Sequence, residues 1–361
     1  MYSREEKVLI WLSIFDQISL KKQHKLLELY PSPLDLWNKW ESDKNNILSV
    51  IDEETYDKMS FARDENFINN YIKNFDEQDI KFVSIISDKY SKMMRETISP
   101  PVMLYCKGNL DLLNSPCLAI VGTRRCTKYG KDVTLMFSRE IAKAGITIVS
   151  GLCDGVDTHA HTGCVEVGGK TIAVLGGGLN CIYPAVNIPL AERILETGGL
   201  LVSEYKPNVK PTRYFFPARN RLVAGISRGV LITEATEKSG SMHTKEYALE
   251  NNRDLYVVPG RLTDIYSKGC NMVIKNCQSA MVLSPDEIIR AFGKESTKNA
   301  VVVEQLSMEE QMIMDKIGSD EVHYEQLVSS LNIEPKRLST LLMRLELKNL
   351  LTKLPGNFYR K

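Results

Sequence analysis

Between residues 117 and 283, short apolar runs alternate with longer stretches that have helical periodicity. Helical patterns occupy 131–144, 157–167, 187–197 and 241–251. Strands that are apolar throughout are buried on both faces, and the helices between them cover those faces. The pattern predicts an α/β fold with a mainly parallel sheet, whose seven strands we place at 117–121, 146–150, 171–175, 200–203, 229–233, 254–258 and 280–283.

The regions on either side of this alternation have a different pattern. Residues 1–75 predict short helices with polar breaks, and residues 304–361 predict three helices followed by a hairpin, which is a winged-helix layout. We therefore expect a helical N-terminal domain at 1–75, an α/β domain at 80–290, a linker at 291–303 and a winged-helix domain at 304–361.

The composition is that of an ordinary globular protein, with 43% hydrophobic and 25% charged residues in a chain of 361. No apolar run approaches membrane-spanning length and the N-terminus has no signal-peptide pattern, so we expect a cytoplasmic protein with no membrane contact. The eight cysteines form no CxxC pair, which favours free, buried thiols and no metal site.

Charge is distributed unevenly along the chain although the formal total is only +1. Residues 117–290 hold 21 basic and 16 acidic groups, and the last 31 residues hold 7 and 2. A polyanionic partner would therefore be bound by the middle of the chain, and the tail is a second candidate.

The segment from Gly122 to Gly130 follows the first predicted strand of this region and carries Arg124, Arg125 and Lys128. A basic loop between a strand and a helix is a typical anion site, because backbone N–H groups and arginine side chains both bind phosphate. The loop has neither GxGxxG nor GxxxxGK[ST], so a large, exposed phosphate chain fits better than a small nucleotide.

Residues 210–221 interleave basic side chains with three consecutive aromatic residues, Tyr214 to Phe216. Neutralised phosphates and stacked bases are what binding of single-stranded nucleic acid requires. We predict that Arg219, Asn220 and Arg221 open a helix at the edge of the sheet. A third loop, Glu237 to Thr244, offers backbone N–H groups at its Ser-Gly-Ser, although Ser241 could equally be only a helix N-cap.

Asp154, Asp157, His159 and His161 suggest metal or acid–base chemistry, but two histidines two residues apart point to different faces of a helix. We interpret Asp157 as a helix N-cap and His161 as a structural residue or a weak phosphate contact. No catalytic residue and no cofactor are predicted.

The ordered motifs resemble the DNA-processing protein A (DprA/Smf) family over nearly the whole chain. The segments that carry the resemblance are Val121-Gly122-Thr123-Arg124, Tyr129-Gly130, Ser150-Gly151-Leu152, Gly155-Val156-Asp157, Ala160-His161, Ala173-Val174-Leu175-Gly176, Tyr183-Pro184, Ser203-Glu204-Tyr205, Phe216-Pro217, Arg219-Asn220-Arg221, Ala224-Gly225-Ile226-Ser227, Glu234-Ala235, Ser239-Gly240-Ser241, Val258-Pro259-Gly260 and Lys268-Gly269-Cys270-Asn271.

The resemblance implies an extended Rossmann fold, a sterile-alpha-motif-like N-terminal domain and a winged-helix tail. It implies a non-enzymatic homodimer that binds and protects single-stranded DNA in natural transformation and homologous recombination. It also implies that the protein loads RecA onto that DNA against single-strand-binding protein. The family's DNA-contacting arginine falls on Arg124, its second basic contact on Arg213 and its stacking aromatic on Phe216.

Three positions depart from the family pattern. Asp154 and Ala218 stand where basic residues are usual, and His243 replaces an aliphatic residue before Lys245. Lost positive charge at the first two positions would weaken DNA binding or shift the path of the DNA.

Two alternatives remain. One is a nucleotide-hydrolysing enzyme of the lysine-decarboxylase-like Rossmann group, although its PGGxGTxxE loop is absent, and the other is a sequence-specific regulator that acts through residues 304–361. The predicted DNA-contact set comprises Gly122, Thr123, Arg124, Tyr129, Gly130, Ser150, Gly151, Arg213, Phe216, Arg219, Asn220, Arg221, Ser239, Gly240, Ser241 and Lys268.

Overall fold

A nine-stranded sheet forms the centre of the first of two structural units, Met1–Thr297 and Lys298–Lys361, into which the chain divides. The structure, a computed structural model, describes residues 2–295, 306–317, 321–331, 333–347 and 350–360. The strands of the sheet are β1 (Lys81–Ser84), β2 (Met103–Gly108), β3 (Cys117–Val121), β4 (Thr147–Ser150), β5 (Thr171–Val174), β6 (Leu200–Ser203), β7 (Gly229–Ile232), β8 (Asp254–Val257) and β9 (Ala280–Met281).

The sheet order is β1-β2-β6-β5-β4-β3-β7-β8-β9, and every neighbouring pair from β6 to β9 is parallel. The predicted mainly parallel α/β sheet is therefore confirmed, and all seven predicted strands are present. The chain order reverses on the two sides of β3, since β4 and β7 are both its neighbours. Ligands of parallel sheets bind beyond the strand ends at such a point.

The pairing of β1 and β2 was not predicted. Both are antiparallel to their partners, and β2 joins β1 to β6 at one edge of the sheet. An antiparallel partner needs no crossover helix, so the chain between β1 and β2 can return within a short segment.

Helices cover both faces of the sheet. Leu118 and Ile120 point to the face covered by α8 (Lys128–Lys143), α9 (Val156–Glu166) and α14 (Pro285–Ala291). Ala119 and Val121 point to the face covered by α11 (Phe215–Ile226), α12 (Ser241–Glu250) and α13 (Lys268–Lys275). The helices of this unit are α1 (Arg4–Ser13), α2 (Leu20–Glu28), α3 (Pro33–Lys39), α4 (Lys44–Leu48), α5 (Glu53–Phe61), α6 (Glu65–Asp76), α7 (Lys92–Arg95), α8 (Lys128–Lys143), α9 (Val156–Glu166), α10 (Ile188–Glu196), α11 (Phe215–Ile226), α12 (Ser241–Glu250), α13 (Lys268–Lys275) and α14 (Pro285–Ala291).

The N-terminal helices share a hydrophobic core with the sheet. The Trp11 ring lies 5.2 Å from Trp37 and 4.8 Å from Trp40, and the same core includes Phe82 of β1 and Tyr105 of β2. The segment predicted as a helical domain, 1–75, thus lies within the first unit and packs directly on β1 and β2.

The second unit is a winged helix, as predicted. Its helices are α15 (Met308–Lys316), α16 (Tyr324–Ser330) and α17 (Pro335–Leu347), and its strands are β10 (Val322–His323), β11 (Thr352–Leu354) and β12 (Phe358–Arg360). The strand order is β10-β12-β11, and the helices enclose a separate core that includes Ile313, Leu327 and Leu342. The predicted linker, 291–303, lies outside the described residues from position 296 onward.

Neither unit contains, in its described part, a helix long and apolar enough to cross a membrane. All eight cysteines are free thiols, and five of them are buried.

Candidate nucleic-acid interface

A cavity of about 750 Å³ lies beyond the carboxyl ends of the parallel strands. Its walls come from the loops that follow β3, β4, β5, β6, β7 and β8, together with the first turns of α11 and α12. Eleven of the sixteen predicted DNA contacts line it: Gly122, Thr123, Arg124, Gly151, Arg213, Phe216, Arg219, Asn220, Ser239, Gly240 and Ser241. Residues distant in sequence are thus brought to one edge of the sheet.

Glu234, which is only 1% exposed, supports the loop after β3. The Glu234 carboxylate accepts hydrogen bonds from the Thr127 backbone N–H at 2.7 Å and from the Thr127 hydroxyl at 2.6 Å. Thr127 in turn caps α8 by accepting the Gly130 N–H at 3.1 Å. The N–H groups of Thr127 and Gly130 are therefore paired within the protein and are not available to phosphate, whereas the side-chain cations of the loop are exposed.

Two glycines of this site allow close approach of other groups. A Cβ at Gly122 would lie 2.5 Å from the Val156 side chain, and a Cβ at Gly130 would lie 2.3 Å from a Glu234 carboxylate oxygen. Gly130 therefore belongs to the support of the loop and does not line the cavity.

Four exposed cations line the cavity: Arg124, Arg125, Arg213 and Lys238. Throughout the part of the chain that the structure describes, no carboxylate lies within 4.0 Å of their charged nitrogens. Asp157 is the one carboxylate in the lining as described, and it is buried. The cavity therefore presents unpaired positive charge to solvent.

Two of these cations lie over aromatic rings. The Arg124 guanidinium carbon lies over the Phe216 ring, 4.9 Å from its centroid, and the Arg213 guanidinium lies over Tyr214 at 4.7 Å. The neighbouring Phe215 stacks on Tyr205 with centroids 4.1 Å apart and does not line the cavity. Of the three consecutive aromatic residues, Phe216 faces the cavity.

Arg219 has a different place from the one predicted. It lies in the second turn of α11, which begins at Phe215, so the Arg219–Arg221 segment does not open the helix as predicted. Its side chain is 2% exposed and donates to the carbonyl oxygens of Gly151, at 2.6 Å, and Val174. Arg219 therefore joins α11 to the ends of β4 and β5 and borders the cavity from below.

Five predicted contacts lie outside the cavity lining. Arg221 forms an ion pair with Glu204, the Ser150 hydroxyl donates to the Ile120 carbonyl at 2.7 Å, and the Tyr129 hydroxyl donates to the Pro259 carbonyl at 2.9 Å. The remaining two are Gly130 and the exposed Lys268 at the start of α13.

The Asp157 and His161 pair is part of the buried support. Gly155 is the N-cap of α9 and Asp157 is its second residue, so the interpretation of Asp157 as N-cap is wrong. Burial raises the pKa of the Asp157 carboxyl, and the nearby Arg219 opposes this shift. His161 is fully buried with Nδ1 2.7 Å from the Thr171 hydroxyl, and burial lowers its pKa to about 3. Within the described ranges, no three His, Cys, Asp or Glu side chains gather as a metal site.

Thirteen residues of the cavity lining are outside the predicted contact set, and Lys238, Tyr183 and Tyr266 are among them. Lys238 lies in the loop after β7, and Tyr183 lies in the loop after β5. Their position after a parallel strand is the sequence signal that could have identified both. The departures Asp154 and Ala218 are exposed and do not line the cavity.

Comparison with known proteins is consistent with this arrangement. A family model described as DNA recombination-mediator protein A matches residues 81–293, and a DprA winged helix domain model matches residues 299–357. DNA processing protein DprA of Bacillus subtilis is 35% identical over 268 residues, which are 72% of this chain and 89% of that protein.

Two solved structures are also similar. The X-ray structure of DprA from Streptococcus pneumoniae has a TM-score of 0.67 and 32% identity, covering 80% of this chain and 98% of that one. A Helicobacter pylori DprA structure, which describes the single-stranded DNA binding mode of that protein, has a TM-score of 0.54 and 35% identity, covering 59% of this chain and 94% of that one.

Proposed function

The chain belongs to the DNA recombination-mediator protein A family, and from this membership and the cavity we propose that it binds single-stranded DNA beyond the carboxyl ends of β3 to β8. The observation that carries the proposal is the set of exposed cations without acidic partners, placed next to aromatic rings. Cations neutralise the phosphates and aromatic rings stack the bases, which together bind single strands without sequence preference.

Arg124 and Arg213 are the proposed phosphate contacts. Both are exposed, and each lies over an aromatic ring rather than against a carboxylate, so phosphate binding breaks no ion pair among the residues that the structure describes. Phe216 is the proposed stacking residue. Arg124 covers its ring in the free protein, so a base either stacks on the guanidinium or takes its place.

Arg124→Ala and Arg213→Ala test the proposal in binding titrations with an oligothymidylate at several salt concentrations. Each variant should bind about 10- to 100-fold more weakly, since hydrogen bonds to charged groups contribute about 1.5–3 kcal/mol. Each should also reduce the slope of log K against log salt by about 0.7, the value for one neutralised phosphate of a single strand.

Arg193→Ala is the matched control, because Arg193 is exposed on α10 and does not line the cavity. It removes the same charge from the molecule and should leave the affinity nearly unchanged. Equal losses in all three variants, or no loss in any, would contradict the assignment of the cavity.

We further propose that the bound strand is protected and passed to RecA in competition with single-strand-binding protein. A site built from exposed side chains suits this role because its ligand can exchange. The expected result is faster RecA filament formation on DNA coated with single-strand-binding protein. Arg124→Ala should abolish that stimulation, and stimulation by the variant equal to that by the unaltered protein would contradict the proposal.

A homodimer is proposed as the working form. At the β9 edge and in the loop after β8, the large apolar residues Leu262 (87% exposed), Ile265 and Leu283 face solvent. Contiguous exposed apolar patches mark association surfaces, and we propose that these three residues belong to one. Leu262→Asp should shift the mass measured by light scattering from dimer to monomer, while Phe61→Asp, on the equally exposed end of α5, should not.

We propose binding without catalysis. A hydrolase related to the lysine-decarboxylase-like group would need a free glutamate near the cavity. Glu234, which follows β7, is buried and accepts both hydrogen bonds from Thr127. Nucleoside monophosphates incubated with the protein should release no free base.

A further inference from the structure

The aromatic rings near the cavity differ in what covers them. The Phe216 ring has the Arg124 guanidinium over it and packs so near Gly176 that a Cβ there would lie 2.9 Å from its Cδ1 atom. Tyr214 has the Arg213 guanidinium over its ring. The faces that these two rings could offer to a base are therefore partly occupied in the free protein.

Tyr183 is different, because it lines the cavity and is 56% exposed. Its ring centroid lies 5.9 Å from that of Phe216, and the two ring planes are inclined at 55°. Among the described residues, no cation lies over the Tyr183 ring and its hydroxyl has no hydrogen-bond partner. Tyr183 thus offers an open aromatic surface beside the Arg124–Phe216 pair.

We propose that Tyr183 is a second stacking surface, which binds a base of the DNA strand whose phosphates are held by Arg124 and Arg213. This proposal rests on the proposed function, since it places a base of the same strand in the same cavity. An uncovered ring accepts a base with no prior rearrangement, whereas Phe216 accepts one only on or in place of Arg124. Any of the four bases can stack there, because each has a π face.

The chemistry around Tyr183 selects a base linked to phosphate over an uncharged aromatic ligand. Arg124 and Arg213 line the same cavity as Tyr183 and can bind the phosphates of a DNA backbone there. The carboxylate in the described lining, Asp157, is buried. A ligand that lacked phosphates would leave these cations unused.

The test compares an oligothymidylate with an oligonucleotide of the same length made of abasic units, which keeps the phosphates and lacks the bases. Fluorescence anisotropy gives the affinities of the unaltered protein, Tyr183→Ala and Tyr183→Phe. Tyr183→Ala should lose about 5- to 150-fold in affinity for the oligothymidylate, the range for one stacked base. It should bind the abasic strand as the unaltered protein does, with the same salt dependence, and Tyr183→Phe should bind both strands normally.

Phe61→Ala is the control for an exposed ring elsewhere, since Phe61 is 91% exposed at the end of α5. It should change neither affinity. If Tyr183→Ala binds the oligothymidylate normally, the stacking role is overturned while the proposed function stands. If it loses affinity for both strands equally, Tyr183 shapes the cavity only and the proposal is again overturned. If the unaltered protein binds neither strand, the proposed function itself fails.

Discussion

Glu234 is the residue on which the shape of the basic loop depends. Its carboxylate accepts two hydrogen bonds from Thr127 and is 1% exposed. Glu234→Ala leaves the Thr127 N–H and hydroxyl without these acceptors. We expect the free energy of unfolding in urea to fall by about 2–4 kcal/mol, because buried donors to a charged acceptor are costly to leave unpaired.

Glu237→Ala is the comparison for that measurement, since Glu237 is exposed three residues further on. It should change the stability by less than about 0.5 kcal/mol. Similar stabilities for the two variants would show that Glu234 does not support the loop.

His161 predicts a dependence of stability on pH. Its pKa falls from 6.5 to about 3 in the folded protein because the ring is buried. Below pH 6.5 the unfolded chain binds a proton that the native protein does not bind, so this contribution to stability is complete at higher pH and is lost as the pH falls toward 3.

Between pH 7 and pH 5.5, the unaltered protein should lose about 1 kcal/mol more stability than His161→Gln, which cannot titrate. Urea unfolding at the two pH values measures the difference. Equal losses of stability in the unaltered protein and the variant would show that the pKa of His161 is not lowered by folding.

At the scale of single residues, sequence showed which cations follow the strands but not which of them are free. Arg124 and Arg221 are the same residue type, and both were predicted to contact DNA. Arg221 forms an ion pair with Glu204, 17 residues away in sequence, whereas Arg124 lies over an aromatic ring and has no carboxylate partner among the described residues. Only the fold determines where a partner distant in sequence lies. The cations available to a ligand could therefore not be separated from the paired ones beforehand.

At the scale of elements, Arg219 joins α11 to the ends of β4 and β5 through the carbonyls of Gly151 and Val174. A Cβ at Gly151 would lie 2.3 Å from the Arg219 Nη2 atom, so the strand end and the side chain fit closely. Arg219→Ala leaves two carbonyls and the buried Asp157 without this cation. We expect a loss of about 2–4 kcal/mol in chemical unfolding, because two buried carbonyl oxygens lose their charged donor.

Arg213→Ala removes the same side chain from an exposed position and should change the stability by less than about 0.5 kcal/mol. Arg219→Ala with the stability of Arg213→Ala would rule out this connection between α11 and the two strands.

The strands themselves were predictable because buried parallel strands are apolar throughout, as in Cys117–Val121, where every residue is buried. The order of the strands in the sheet was not predictable. The apolar pattern of a strand such as β2 does not depend on which strands lie beside it. The sequence predicts a helix that starts at Arg219, whereas α11 already begins at Phe215 and includes part of the aromatic run. Helical packing directs Phe215 and Phe216 to different surroundings, which composition alone cannot show.

At the scale of the whole molecule, the two units have separate hydrophobic cores. We therefore expect a chain that ends at residue 297 to unfold cooperatively, with a thermal midpoint within about 3 °C of the midpoint of the same unit in the full protein. Calorimetry of both proteins measures this. Aggregation or non-cooperative melting of the shorter chain would show that the first unit depends on the second.

The shared core of the N-terminal helices also has an optical consequence. The three tryptophans of the chain, Trp11, Trp37 and Trp40, all belong to one cluster in that core, and none lines the cavity. Intrinsic indole emission therefore reports on the first helices alone. If the emission changes at a lower denaturant concentration than the far-ultraviolet circular dichroism, these helices are the first part of the Met1–Thr297 unit to unfold. A ligand that fills the cavity should leave the emission maximum unchanged.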